Sequence, residues 1–133
     1  MNLLKYGKFT SHAGKELDFK IECDALTNED WEWIAKLISN RCKFGKVYGI
    51  PSGGVTLQKA LEKYVTPNNP YSLVVDDVWT TGKSMMEVMQ PGDLGFVVFA
   101  RERILFDANK YVRAVFTMEV LWVKMSFCSS FFI

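Results

Sequence analysis

The chain has 133 residues, of which 49% are hydrophobic and 23% are charged, a composition typical of one folded domain and unlike that of a disordered chain. Sixteen lysines and arginines against fifteen aspartates and glutamates leave a formal charge of +1, so no global field favours nucleic acid or an anionic membrane as a partner. The single histidine and three widely spaced cysteines, Cys23, Cys42 and Cys128, argue against a cysteine-rich metal site and favour reduced thiols.

Neither end of the chain has the pattern of a targeting or membrane-spanning segment. Met1 to Thr10 lacks the apolar stretch and cleavage site of a signal peptide, which predicts a cytoplasmic protein. Val120 to Ile133 is apolar, but Lys124 interrupts it and it is too short to cross a bilayer. We expect this tail to form a buried edge strand or a subunit contact, and the whole chain to form one domain, with a hairpin over 1–24 and the core over 25–133.

The first half of the chain predicts a hairpin, a helix, a strand and a second helix. Leu17, Phe19 and Ile21 alternate with charged residues, as in a half-buried strand. Thr27 is placed to cap a helix with apolar residues at three- and four-residue steps, namely Trp31, Ile34, Leu37, Ile38 and Cys42. A strand over Lys46 to Ile50 then leads into the loop Pro51-Ser52-Gly53-Gly54 and a helix from Thr56 to Tyr64.

The second half repeats the same order of strand, loop and helix. Leu73 to Val75 is a continuous apolar run, expected of a strand covered on both faces. Thr80 opens a helix that continues to Met89, and two further strands follow at Phe96 to Ala100 and Val112 to Met118. Alternating strands and helices predict an α/β fold with right-handed crossovers and an open, mostly parallel sheet. Ligands of such folds bind at the carboxyl ends of the strands, where both glycine loops fall.

The segment from Val74 to Ser84 combines two features suited to a phosphorylated sugar. Asp76 and Asp77 are adjacent carboxylates at the end of a strand, which a sugar diol or a hydrated Mg²⁺ would satisfy. The following residues offer hydroxyls and backbone N–H groups where a helix begins, and they comprise Thr80, Thr81, Gly82, Lys83 and Ser84. The plainer alternative is a strand-to-helix turn in which these side chains only cap the helix.

This string resembles the phosphoribosyl pyrophosphate signature of the type I phosphoribosyltransferases: two hydrophobic residues, an acidic pair, then Thr-Thr-Gly-x-Ser. The resemblance implies that Asp76 and Asp77 hold the ribose hydroxyls and that Thr80 to Ser84 bind the 5′-phosphate. It also implies phosphoribosyl transfer to a nucleobase with Mg²⁺ as cofactor, the metal reaching Asp76 and Asp77 through water. Pro51, Ser52, Gly53 and Gly54 resemble the pyrophosphate loop of the same family, although a glycine turn needed only for backbone shape remains the alternative.

Two further stretches are similar to the orotate phosphoribosyltransferases within that family. Phe9 to Lys15 matches their Phe-Thr-x-x-Ser-Gly-Arg stretch in part, which implies that His12 and Lys15 belong to a hood over the active site. Arg101 follows a buried strand, as does the arginine that reaches the base in those enzymes, and a guanidinium pairs well with the carboxylate of orotate. The alternatives are loop positions for His12 and Lys15, and a solvated flank for Arg101 paired with Glu102 or Asp107.

One departure from the orotate enzymes leaves other functions open. Those enzymes carry a long basic loop before the signature, whereas here only Lys59 and Lys63 precede Val65 to Tyr71. Their four-residue spacing is typical of the solvated face of a helix. A purine or uracil phosphoribosyltransferase and a non-catalytic sensor of phosphoribosyl pyrophosphate are therefore the alternatives. The resemblance also implies a homodimer.

Overall fold

The computed structural model describes residues 2–10, 14, 16–102, 104 and 110–117. Within these residues the elements follow the order β1 (Leu4–Thr10), β2 (Glu16–Ile21), α1 (Asn28–Arg41), β3 (Lys46–Gly49), α2 (Val55–Leu61), β4 (Ser72–Trp79), α3 (Lys83–Val88), β5 (Leu94–Ala100) and β6 (Tyr111–Thr117). Short 3-10 turns follow β2 at Cys23–Ala25 and α2 at Glu62–Tyr64. No helix in this part of the chain is long and apolar enough to cross a membrane.

Four strands form one parallel sheet in the order β3-β4-β5-β6, and β1 and β2 form a separate antiparallel hairpin. The predicted α/β fold with an open parallel sheet and an N-terminal hairpin is therefore confirmed. Strands β3, β4 and β5 all point the same way, so the loops that follow them meet at one edge of the sheet. This edge is where the two glycine loops lie.

The core lies on both faces of the sheet, because successive residues of a strand point to opposite sides. Leu73 and Val75 of β4 join a cluster with α1, α2 and the hairpin, whereas Val74 joins a second cluster with Met85 of α3. The β5 residues Phe96, Val97 and Val98 divide between the clusters in the same alternating way. The continuous apolar runs in the sequence thus match strands that are covered on both sides.

The crossovers between neighbouring parallel strands differ from the prediction in their handedness. Helix α2 connects β3 to β4 and places Leu57 and Leu61 in the first cluster, while α3 connects β4 to β5 and places Met85 in the second. Both connections step in the same direction along the sheet, yet their helices lie on opposite faces. One of the two crossovers is therefore left-handed, and the expectation that both are right-handed is wrong.

Element boundaries differ from the prediction where tertiary contacts override local preference. Strand β4 continues past Val75 through the acidic pair to Trp79, because β5 pairs with it as far as Ala100. Helix α3 begins at Lys83 rather than Thr80, since Gly82 before it has the left-handed φ of 80°. The predicted end of the last strand, Met118, lies outside the described residues, as does the apolar tail from Val120.

The hairpin is attached to the core through one of its strands only. Phe19 and Ile21 of β2 point inward and are buried in the first cluster, as their alternation in the sequence predicts. Strand β1 lies outside β2 and is exposed along nearly its whole length, with the side chain of Tyr6 88% exposed. The hairpin therefore covers the domain as a flap with one buried strand.

Candidate active site

A cleft of about 980 Å³ opens at the carboxyl ends of β3, β4 and β5. Its floor consists of the loop after β3, the end of β4 and the turn into α3, and its roof includes hairpin residues of β1 and β2. Nearly every described residue that the sequence predicted for the site lines this cleft, namely Pro51, Ser52, Gly53, Asp76, Asp77, Thr80, Thr81, Gly82, Lys83, Ser84 and Arg101. Segments far apart in the sequence thus meet in one place.

The acidic pair lies within β4 rather than after it, on the wall of the cleft. One carboxylate oxygen of Asp76 accepts a hydrogen bond from the backbone N–H of Asp77 at 2.8 Å, and Asp77 accepts one from Val78 at 2.8 Å. These local bonds turn the carboxylates back along the strand and fix their orientation. Each carboxylate has further lone pairs for a ligand.

Burial and the neighbouring carboxylate together raise the pKa of Asp76 to about 8, with burial the larger cause. At neutral pH the pair therefore holds a proton until a cation or a donor of hydrogen bonds enters the cleft. The same charges act on Cys23, which follows β2 and also lines the cleft. Burial raises the pKa of its thiol to about 12, and Asp77 adds to the effect, so Cys23 is uncharged and unreactive in the folded protein.

The turn from Thr80 to Ser84 leads from the end of β4 into α3 along the wall of the cleft. Gly82 caps α3 in the left-handed conformation, and a side chain at this position would overlap the indole ring of Trp79. The buried Trp79 thus supports the turn from below, although it also lines the cleft. From sequence alone Trp79 could line the base pocket or belong to the core, and the core is the commoner place for an aromatic residue in an α/β domain.

The loop after β3 packs directly against the acidic pair. A methyl group at Gly53 would overlap the carboxylate of Asp77, so glycine is required for this approach. The peptide bond between Pro51 and Ser52 is cis. Gly54 is buried beneath the loop, where its N–H donates to the carbonyl of Ile50 at 2.7 Å. The amide of Gly54 is thus part of the turn itself, and the exposed residues of the loop are Pro51 and Ser52.

Arg101 lies at the rim of the cleft, immediately after β5, and contacts the hairpin. Its backbone N–H donates to the carbonyl of Trp79 at 2.9 Å. Its guanidinium donates to the carbonyl of Phe19, stacks 3.6 Å from the centre of the Phe19 ring and lies 3.7 Å from Asp18. Burial lowers the pKa of this group, and Asp18 opposes that effect. From the sequence, Glu102 and Asp107 are the candidate partners of Arg101. No pattern in the sequence indicates that Arg101 contacts the hairpin.

The hairpin and the turn after it bring residues into the cleft that sequence reasoning missed. They are Lys20, Glu22, Cys23 and Asp24. Lys20 pairs with Glu22 at 3.1 Å, and Lys5 lies 3.8 Å from the same carboxylate. Only the alternation in β2 is visible in the sequence, and it does not indicate which strand edge faces a ligand. The predicted hood residues His12 and Lys15 lie outside the described residues.

The connection between α2 and β4 does not approach the cleft. Its backbone is bonded at the opposite end of the sheet, where Thr66 donates to the carbonyl of Phe44 at 2.9 Å and Gly45 donates to that of Tyr71 at 2.8 Å. Lys63 forms an ion pair with Glu32 of α1, and Lys59 is exposed. The prediction that these lysines lie on a solvated helical face is confirmed, and the hairpin is the part of the described chain that covers the site.

Acidic side chains outnumber basic ones along the described walls of the cleft. The basic residues are Lys20, Lys83 and Arg101, and the acidic ones are Glu22, Asp24, Asp76, Asp77 and Glu87. No group of three or more side chains from the described residues is arranged to hold a metal ion. Asp76 and Asp77 supply the carboxylate oxygens that Mg²⁺ prefers, and water and a bound ligand would have to complete its octahedral shell.

Comparison with solved structures shows that other proteins share this fold. Orotate phosphoribosyltransferase from Aeropyrum pernix superposes with a TM-score of 0.67 at 18% identity, covering 93% of this chain and 93% of that protein. The orotate phosphoribosyltransferase of Mycobacterium tuberculosis gives a TM-score of 0.58 at 18% identity, covering 89% of this chain and 91% of the other.

A third match is to part of a longer protein, UMP synthase from Leishmania donovani. Its TM-score is 0.59 at 15% identity, and it covers 93% of this chain but 36% of that protein. No protein-family model matches the sequence, and no curated protein matches it. At these identities the comparisons establish the fold, which is the one that the resemblance in the sequence implied.

Proposed function

We propose that this chain, which has the fold of the orotate phosphoribosyltransferases, transfers the 5-phosphoribosyl group of phosphoribosyl pyrophosphate to a nucleobase and releases pyrophosphate. The observation that carries the proposal is the meeting of three segments in one cleft: the acidic pair, the turn Thr80 to Ser84, and the loop at Gly53. Each of the three segments suits one part of phosphoribosyl pyrophosphate. Their positions along the cleft wall follow from the order of strands β3 and β4.

The roles follow from the chemistry of each segment. Asp76 and Asp77 accept hydrogen bonds from the ribose hydroxyls, Thr80 to Ser84 bind the 5′-phosphate through hydroxyls and backbone N–H groups, and Pro51 to Gly53 face the pyrophosphate. In the reaction the bond from the anomeric carbon to the pyrophosphate oxygen breaks, and a bond to a ring nitrogen of the base forms. That nitrogen loses its proton to solvent. The protein contributes orientation and electrostatic stabilisation of the positive charge that develops on the sugar.

Mg²⁺ is the cofactor in this proposal, and the excess of carboxylates along the cleft supports it. Phosphoribosyl pyrophosphate is strongly anionic, so a cleft with more acidic than basic side chains needs a divalent cation to accept it. Asp76 and Asp77 would hold the metal through water. Bound there, Mg²⁺ would neutralise charge on the leaving pyrophosphate.

Orotate is the acceptor that we propose, because both the fold comparison and the stretch Phe9 to Lys15 favour it. Arg101 is close enough to the cleft to meet the carboxylate of orotate, although its guanidinium is engaged with Phe19 and Asp18. Uracil and the purines are the alternative acceptors. They differ from orotate in having no carboxylate for a guanidinium to bind.

The direct test is product formation from defined components. The protein is incubated with Mg²⁺ and phosphoribosyl pyrophosphate, and orotate, uracil, adenine, hypoxanthine or guanine is added separately. We expect pyrophosphate and one nucleotide to appear, and we expect Asp77→Asn to reduce the rate at least tenfold. Release of pyrophosphate without any nucleotide, or no reaction with any base, would contradict the proposed transfer.

A non-catalytic sensor of phosphoribosyl pyrophosphate is the second candidate, and the connection between α2 and β4 favours it. That connection is bonded at the far end of the sheet and supplies no cover for the reaction. A sensor would bind phosphoribosyl pyrophosphate in calorimetry, with Mg²⁺ present, and form no nucleotide with any of the five bases. An enzyme would show both binding and product, so the same two measurements separate the candidates.

We also propose that the protein works as a cytoplasmic homodimer. Two large apolar side chains on one face of α1 support an association, since Trp33 is 58% and Leu37 45% exposed. Light scattering coupled to size-exclusion chromatography would give the mass directly. A single peak at the 15.2 kDa of one chain across the micromolar range would contradict the dimer.

A further inference from the structure

Arg101 connects the two halves of the cleft, its floor and its roof. The backbone N–H of Arg101 bonds to the carbonyl of Trp79, directly before the phosphate turn. Its side chain crosses to the hairpin and donates to the carbonyl of Phe19. A single residue is thereby bonded to the strand end that carries the floor and to the strand that carries the roof.

The contact with the hairpin is buried and uses most of the guanidinium surface. The side chain of Arg101 is 6% exposed, whereas that of its acidic partner Asp18 is 83% exposed. Asp18 is therefore a weak, solvated counterion. The flat face of the guanidinium lies 3.6 Å from the centre of the Phe19 ring, an arrangement in which the ring stabilises the cation. The ring and the carbonyl of Phe19 are thus the main partners that compensate for burial of the charge.

Within the described part of the chain, the other contacts that attach the hairpin to the core are mainly apolar. Phe19 and Ile21 pack into the first cluster, and Cys23 lies buried at the point where the chain leaves β2. Strand β1 adds little, because it is exposed on the far side of β2. Among the described residues, Arg101 provides the polar contact that fixes where the roof lies over Asp76 and Asp77.

We propose that Arg101 is a positioning residue that holds the hairpin over the cleft, and that it acts on catalysis through the roof rather than by binding the base. This inference rests on the proposed function for its effect on activity, but its effect on the hairpin is independent of it. Because the roof lies over the donor site, loss of the contact lowers kcat/KM with every acceptor that the protein uses. A guanidinium that binds the base carboxylate would matter for orotate alone.

Cys23 reports the position of the hairpin without any need for catalysis. It is 6% exposed and lies at the base of β2, so its thiol becomes accessible to alkylating reagents when the hairpin lifts. Cys42, at the end of α1, is half-buried on a different part of the molecule. The ratio of the two alkylation rates therefore separates movement of the hairpin from loss of the whole fold.

The experiment measures alkylation by iodoacetamide at 25 °C, with modified cysteines identified by peptide mass spectrometry, for the wild type and for Arg101→Ala, Arg101→Lys, Phe19→Leu and Arg113→Ala. Arg113 is an exposed arginine on β6 and serves as the matched control. In Arg101→Ala we expect Cys23 to react at least tenfold faster and Cys42 at the wild-type rate. Arg101→Lys restores most of the protection, because an ammonium still donates to the carbonyl of Phe19. Arg113→Ala leaves Cys23 unchanged.

The activity arm uses the same variants with Mg²⁺, phosphoribosyl pyrophosphate and each accepted base. We expect kcat/KM for Arg101→Ala to fall at least tenfold with every base, and Phe19→Leu to show a smaller loss in the same direction. Unchanged alkylation of Cys23 in Arg101→Ala, or a loss of activity that consists only of a higher KM for the base, with kcat and the KM for phosphoribosyl pyrophosphate unchanged, would overturn the proposal. Should Arg101→Ala fail to fold, Phe19→Leu tests the contact instead, because it removes the ring that stacks on the guanidinium; Cys23 should then react faster than in Arg101→Lys, and equal rates would overturn the proposal. If the wild type forms no product, the proposed function is contradicted. The alkylation rates of Cys23 then still decide whether Arg101 holds the hairpin in place.

Discussion

Gly53 and Asp77 come from loops and strands that are more than twenty residues apart, and their contact sets the geometry of the cleft. The carboxylate of Asp77 occupies the space where a side chain at residue 53 would lie. In the sequence Gly53 is only one of two glycines in a turn. The tertiary structure shows that one of them faces the acidic pair, while Gly54 is buried against the carbonyl of Val75.

Replacing Gly53 with alanine tests this contact. The new methyl group displaces the Asp77 carboxylate, so we expect the dissociation constant for phosphoribosyl pyrophosphate with Mg²⁺ to rise at least tenfold, or about 1.4 kcal/mol. Isothermal titration calorimetry measures it. Gly92→Ala is the control, because Gly92 has a strained positive φ of 90° but nothing lies within 4 Å of the added methyl. The control should lower stability and leave the affinity unchanged; equal affinity in both variants would contradict the role of Gly53.

Replacing Asp76 with asparagine tests the buried carboxyl group. Asp76 takes up its proton near pH 3.8 in the unfolded chain but near pH 8 in the folded protein. The stability linked to this proton is therefore complete below about pH 4 and is lost as the pH rises to about 8. Asparagine does not titrate, so the free energy of unfolding of the variant should rise relative to that of the wild type over this range. At pH 8 we expect it to exceed the wild-type value by about 1 to 3 kcal/mol.

Urea unfolding at pH 5 and pH 8 measures that difference, with the exposed Glu29→Gln as a control for removing a carboxylate from the surface. If the difference in free energy of unfolding between Asp76→Asn and the wild type became smaller as the pH rises, the unfavourable ionisation of a buried Asp76 would be contradicted. The same variant should bind phosphoribosyl pyrophosphate more weakly, since it loses an acceptor for the ribose hydroxyls.

Helix α1 is the element that the sequence predicts most completely. Thr27 forms a capping box, in which its hydroxyl accepts from the N–H of Asp30 at 3.1 Å and the Asp30 carboxylate accepts from the N–H of Thr27 at 2.8 Å. The buried positions Trp31, Ile34 and Ile38 recur as their spacing predicts. All of these contacts lie within the helix or on its core face, so local sequence is enough to specify them.

Replacing Thr27 with alanine removes the cap. We expect the free energy of unfolding to fall by about 1 kcal/mol, because one N–H of the first turn loses its partner. Chemical denaturation followed by circular dichroism measures it. Thr66→Ala is a suitable control, since Thr66 contributes a backbone hydrogen bond to Phe44 that alanine retains. An equal loss in both variants would show that the cap has no specific effect.

The opposite case is the segment from Val55 to Tyr71. Its helix is predictable from apolar spacing, but the path back to β4 is not. The contacts responsible are backbone bonds of Thr66 and Tyr71 to the chain around Phe44 and Gly45. Such bonds can form between any residues, so the sequence carries no pattern for them.

At the scale of the whole molecule, the cleft exists because β3, β4 and β5 are parallel neighbours and the hairpin lies across their ends. Charges from five separate segments meet there. Among the described residues, acidic side chains are in excess along the walls, although the chain as a whole carries a formal charge of +1. The local field of the cleft is therefore opposite to what the net charge suggests.

This local field predicts a strict requirement for a divalent cation. We expect the affinity for phosphoribosyl pyrophosphate to fall at least tenfold when Mg²⁺ is replaced by EDTA at constant ionic strength, because the cleft then repels the anionic donor. Calorimetry in buffers with and without excess Mg²⁺, matched in ionic strength so that screening is the same, measures the effect. Orthophosphate, which has less charge, is the control and should depend less on the metal. Equal binding of the donor in both buffers would contradict the prediction.

The amino-acid sequence by itself determined most of the elements and the string that resembles a phosphoribosyl pyrophosphate signature. Alternation in β2, the capped helix α1, the apolar runs of β4 and β5 and the string Asp76 to Ser84 are local patterns, because backbone geometry fixes which nearby residues share a face. Only the tertiary structure decided how β4 extends through the acidic pair, where Gly53 meets Asp77, and that Arg101 contacts Phe19. These contacts join residues that are distant in the chain, and their geometry depends on how strands pair and helices pack, which no local pattern records.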